Sequence, residues 1–111
     1  MEITLRVIEY YETMDGKAPY REWFKSLKEG QIKHIIDTRI ARVRLGNFGD
    51  CFSVGDGVYE LRIHVHSGYR IYLSQIGSKI VLLLLGGIKK TQNRDIEKAK
   101  TYWIDYRRRY K

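Results

Sequence analysis

The run Ile80-Val81-Leu82-Leu83-Leu84-Leu85 offers no polar side chain to either face of a strand. A strand built from it is apolar on both sides and belongs in the middle of a sheet rather than at its edge. It is far shorter than the roughly 20 apolar residues a membrane span requires. Neighbours for it lie close by in the chain. Residues 58–65, 69–76 and 79–85 read as three strands, joined by tight turns at His66-Ser67-Gly68 and Gly77-Ser78. A shorter strand around Phe52 precedes them, punctuated by Gly46, Gly49, Gly55 and Gly57.

Before Asn47 the apolar period is helical. Pro19 suits a first helical turn, where its missing N–H costs little. Tyr20, Trp23, Phe24 and Leu27 follow at helical spacing, with Gly30 as the expected stop. Ile32, Ile35, Ile36, Ile40 and Val43 form a second stripe ending near Gly46, so a helical hairpin is predicted. At the start of the chain, Ile3, Leu5 and Val7 alternate with Thr4, Arg6 and Ile8 as in a half-buried strand. After Gly86-Gly87-Ile88-Lys89-Lys90, Thr91 is placed to cap a closing helix. Asp95 and Glu97 near its start and Arg107–Arg109 at its end suit the helix dipole.

The predicted order is β-α-α-β-β-β-β-α. This is an α+β fold: an antiparallel sheet with a helical hairpin and a C-terminal helix, the helices packed on one side. With 111 residues, no repeat, no low-complexity stretch and one proline, residues 1–111 read as one domain.

Lys and Arg number 21 against 13 acids, a formal charge of +8. Such a balance favours polyanions, nucleic acid above all, although it also serves solubility or an acidic protein partner. The single cysteine, Cys51, excludes an intrachain disulfide and fits a reducing cytoplasm. The opening MEITLRVIEYYE lacks the apolar core of a signal peptide, and a cytoplasmic protein with no membrane partner is expected.

A three-residue loop at His66-Ser67-Gly68 sets Val65 opposite Tyr69, His64 opposite Arg70 and Arg62 opposite Tyr72. Tyr59, Leu61, Ile63, Val65, Ile71 and Leu73 then share a buried face. Glu60, Arg62, His64, Arg70 and Tyr72 share an open one. Arginine forks match phosphate oxygens, histidine moves protons near neutral pH, and tyrosine can stack on an unpaired base. Singly these residues read as surface decoration; the register is what groups them. Lys89 and Lys90 join the group if the last strand lies beside the hairpin. The aromatic and basic run from Tyr102 to Tyr110, with Arg107 and Arg108, is a candidate RNA contact, and a basic helix end is the alternative. Metal-spaced ligands, HExxH and a phosphate-cradling loop before a helix are all missing, so no metal or cofactor is expected.

Lys17-Ala18-Pro19-Tyr20-Arg21-Glu22-Trp23, Arg44-Leu45-Gly46-Asn47-Phe48-Gly49-Asp50, Val58-Tyr59-Glu60-Leu61-Arg62-Ile63, Gly68-Tyr69-Arg70-Ile71-Tyr72 and Gly86-Gly87-Ile88-Lys89-Lys90-Thr91-Gln92 occur in a telling order. Nearly the whole chain thereby resembles the HigB-like "addiction module killer" branch of the RelE/ParE toxin superfamily. The resemblance implies the RelE-like fold and, for many members, a metal-independent, ribosome-dependent mRNA endonuclease that blocks translation. Arg70 then matches the arginine that holds the scissile phosphate, Arg62 a basic strand position, and Lys89 or Lys90 the basic position after the last strand. His64 is the expected acid or base. The implied partner, besides mRNA on the ribosome, is a cognate antitoxin, a small helix-turn-helix DNA-binding protein. The chain departs from the family pattern at Ile88, where many relatives are acidic, near Phe52, where many are basic, and at His66-Ser67, often glycine and proline. A ParE-like, non-enzymatic inhibitor of DNA gyrase is the alternative reading, and an inactive member that only binds its antitoxin is a third.

Overall fold

The computed structural model describes residues 5–110. Its elements follow the predicted order: β1 (Val7–Tyr10), α1 (Pro19–Ser26), α2 (Gly30–Arg44), β2 (Cys51–Gly55), β3 (Val58–Ile63), β4 (Tyr69–Ile76), β5 (Ile80–Ile88), and α3 (Gln92–Arg109) after a 3-10 turn at Lys89–Thr91. The five strands form one sheet in the order β1-β5-β4-β3-β2. The both-faced apolar strand β5 is therefore interior, as its composition requires.

Four expectations need correction. β1 runs Val7–Tyr10 and pairs with β5 in parallel, so the sheet is antiparallel except at that edge; Ile3 and Thr4, where a strand was expected to begin, lie outside the described residues. Gly30 opens α2 instead of stopping α1, which ends when the Leu27 N–H bonds back to Phe24 O at 3.2 Å. The β3–β4 register pairs Ile63 with Tyr69 and Arg62 with Arg70, two residues away from the expected one. His66 and Gly68 both take left-handed backbone, at φ 52° and 85°, which widens the loop to residues 64–68. A slip of two preserves side-chain parity, so the facial assignment survives it.

The largest correction concerns layering. α1 and α2 cover one face of the sheet, where Ile32, Ile36 and Val43 meet Leu61, Ile63, Ile71, Leu73, Val81 and Leu83. α3 covers the other, packing Ala99 and Trp103 on Val58, Tyr72, Leu82 and Leu84. A strand that is apolar on both sides needs cover on both, so the helices cannot all lie on one side.

Consecutive glycines let both layers come close. A bulge between Tyr72 and Leu73 and their β5 partners leaves Leu84 as an extra residue and resets the alternation. Gly86 consequently faces the hairpin, where an added Cβ would sit 2.0 Å from the Trp23 ring. Gly87 faces α3, where it would sit 2.0 Å from Asp95 Oδ2. No helix among the described residues is long and apolar enough to cross a membrane.

Candidate phosphodiester site

Where α3 begins, the sheet face it covers turns polar. The β3 residue Glu60 is fully buried, and its carboxylate is the hub of the region. It accepts hydrogen bonds from Arg62 Nε at 2.7 Å, Tyr72 Oη at 3.1 Å and Gln92 Nε2 at 3.0 Å. Burial alone would raise this carboxyl, but these donors outweigh it and hold the group below the ordinary carboxylate range.

Arg70, next to Arg62 across the β3–β4 ladder, is only 7% exposed. Its Nε forms an ion pair with Glu60 Oε1 at 3.6 Å, beyond a hydrogen bond, and has no hydrogen-bond partner among the described residues. That nitrogen is shut off from solvent and faces the Glu60 carboxylate at ion-pair distance. Gly68 lies alongside the arginine: a Cβ there would stand 3.5 Å from Arg70 Nη1, an ordinary contact. The residue opens on a groove of about 730 Å³, lined by Arg62, His64, Tyr69, Arg70, Lys89 and Gln92 among others.

His64 lies just past the end of β3 with a well-exposed ring. Its Nε2 is 2.5 Å from Asp50 Oδ2, and this hydrogen bond lowers the Asp50 carboxyl from its ordinary value. The loop carrying Asp50 is strapped from α2. Arg39 donates to the carbonyls of Phe48 at 2.8 Å, Asp50 at 3.2 Å and Arg62 at 2.6 Å, while the Arg62 N–H bonds to Asp50 O at 2.9 Å. An ionised carboxylate only accepts, so Nε2 carries the proton toward Asp50, and Nδ1 is the ring nitrogen that Asp50 leaves free.

Arg62, His64, Arg70 and Lys89 of the predicted site thus line one groove. Tyr72 does not. It is fully buried beneath α3, with its hydroxyl on Glu60, and no base can stack on it. Burial, followed by the Glu60 charge, pushes that hydroxyl far above the usual tyrosine range. The face taken as open is therefore closed at Glu60 and Tyr72 and open only toward the loop. Lys90 lines a neighbouring groove with Asn93 and Arg94. Arg107 and Arg108 fall near the far end of α3, about 22 Å along its axis from Gln92 at 1.5 Å per residue. The Arg107 guanidinium rests 5.2 Å from the Trp103 ring centroid.

Sequence reasoning passed over Asp50, Arg39 and Gln92. Asp50 stands in the motif Asn47-Phe48-Gly49-Asp50, but only the path of the loop brings it to a histidine 14 residues on.

No protein-family model matches the chain. An uncharacterized protein of Haemophilus influenzae (strain ATCC 51907 / DSM 11121 / KW20 / Rd) is 47% identical to it over 81 residues, 73% of this chain and 82% of the relative. The chain belongs to that protein's family. The relative brings no activity with it, so the chemistry has to be argued from the groove.

Proposed function

We propose that this chain is a cytoplasmic toxin of the RelE/ParE superfamily, HigB-like branch, that cuts mRNA on the ribosome. The observation that carries the reading is the groove that Arg62, Arg70 and Lys89 line together, beside a hydrogen-bonded His64–Asp50 pair. Guanidinium and ammonium groups converging on one groove suit a phosphodiester oxygen.

In the proposed reaction, His64 Nδ1 takes the proton of a ribose 2′-hydroxyl, whose oxygen attacks the adjacent phosphorus. Arg70, with Lys89 along the same groove, stabilises the charge that develops on the non-bridging oxygens. The bond to the 5′-oxygen breaks, and that oxygen leaves with a proton for which the Lys89 ammonium is the candidate donor. The products are a 2′,3′-cyclic phosphate and a free 5′-hydroxyl. Asp50 orients the imidazole and stabilises its protonated form. The proposed partner that silences the protein is a small helix-turn-helix antitoxin, which would cover the basic groove and block access to it.

Mapping mRNA 5′ ends after brief induction tests the reading, with Arg70→Ala as the control. New ends confined to translated messages and to the unaltered protein are expected. Growth arrest without new ends would sink the nuclease reading and lead to a gyrase supercoiling assay.

A further inference from the structure

We infer that Phe52 and Arg62 together form a nucleobase-stacking platform at the rim of the groove, taking an unpaired base of a single-stranded RNA. The inference rests on the proposed RNA substrate and names the part of the site that would hold its bases. β2 pairs only with β3, and Phe52 stands opposite Glu60, so its side chain shares the face of Glu60, Arg62 and Arg70. Phe52 is 39% exposed. The Arg62 guanidinium carbon lies 4.2 Å from its centroid.

Arg62 is held from its edge as well, through the 2.7 Å bond from Nε to Glu60. With Nε committed to a carboxylate and a ring beneath it, this guanidinium is poorly placed to act as a freely moving phosphate clamp. It is well placed to present a flat, charged surface, because it also lines the groove that Arg70 opens on. Bases stack on guanidinium planes as they do on aromatic rings. Of the nearby aromatics, Tyr72 is buried, and Tyr69, which also lines the groove, packs against the core under the helical hairpin. Stacking is tolerant of base identity, so this platform supplies affinity without strong sequence preference.

The test titrates the full chain with a single-stranded 2′-O-methyl RNA hexanucleotide carrying 2-aminopurine, which cannot be cut by 2′-oxygen attack. Stacking quenches its fluorescence. Phe52→Leu, which keeps an apolar side chain but no ring, should weaken binding on the order of tenfold and lose most of the quench. The slope of log affinity against log salt should stay unchanged, because no phosphate contact is removed, whereas Lys89→Ala should lower that slope by about 0.7. Arg62→Lys, which keeps the charge without the plane, should repeat the Phe52→Leu result and guards against a folding artefact. Wild-type affinity and quench in both variants would overturn the platform, as would a wild-type protein that does not bind the oligomer. A Phe52-dependent quench without mRNA cleavage in cells would leave the platform standing and remove the nuclease. Cleavage without Phe52 dependence would do the reverse.

Discussion

The two faces of this sheet bury similar strands in different ways. Under α1 and α2 the interface is built from aliphatic and aromatic side chains, with Leu61, Ile71, Leu73, Val81 and Leu83 fully buried. Each such side chain contributes about 1.5–3 kcal/mol relative to exposure. Under α3 the same strands present Val58, Leu82 and Leu84 at one end and Glu60, Arg70 and Tyr72 at the other. Alternation along β3 puts Leu61 on one side and its neighbour Glu60 on the other, so one strand serves both purposes. The dry face holds the fold together, and the mixed face places charged groups in fixed positions at the cost of burying them. A glutamate in a core is tolerable only because Arg62, Tyr72 and Gln92 satisfy it. Arg70 is the member left short.

The largest effect expected from this contrast lies on the dry face. Leu61→Ala should destabilise the protein by about 2–5 kcal/mol, read as a lowered midpoint in denaturant. A cost under about 1 kcal/mol would mean that this face repacks freely and is not the main source of stability.

Arg70→Ala should behave in the opposite manner. Cleavage should fall on the order of 10²–10³-fold, as when one charge-stabilising donor is removed from a catalytic site. The midpoint should fall less than for Leu61→Ala, because Glu60 loses a 3.6 Å ion pair but keeps its bonds from Arg62, Tyr72 and Gln92. A large drop in stability with normal cleavage would make Arg70 a structural residue and remove the contrast.

Asp50→Asn should lower the cleavage rate about tenfold, less than the 10²–10⁴-fold expected for losing the base in His64→Ala. Binding of the uncleavable oligomer should be unaffected, since the amide still reaches the imidazole but no longer stabilises its charge. Equal loss in binding and rate would show that Asp50 serves to hold substrate.

The smallest effect is a dependence on acid. The Glu60 carboxyl titrates below its ordinary value of 4.5 in the folded protein. Stability from it is present above that value and is lost as pH falls through the lowered folded value. Stability of the native chain should therefore decline as pH drops below about 4.5, and Glu60→Gln should flatten part of that decline. The remaining slope belongs to groups such as Asp50 and Asp105, which are also lowered. Parallel acid profiles for the two proteins would mean that the Glu60 hub does not bind its donors in solution as described.

Element order, the parity of side chains along β3 and β4, the interior position of β5 and the grouping of Arg62, His64, Arg70 and Lys89 were legible in the chain. All rest on periods of two or 3.6 residues and on turns a few residues long, which local sterics and apolar burial enforce. Parity even survived a register wrong by two, because a strand's faces repeat at that interval. Tertiary structure decided the rest. It sent α3 to the face opposite the hairpin, closed Tyr72 beneath it, and set Gln92 against Glu60 across 32 residues. It also carried the Asp50 loop to His64. No local pattern encodes such meetings, because they depend on how the whole path of the chain buries both sides of β5 at once.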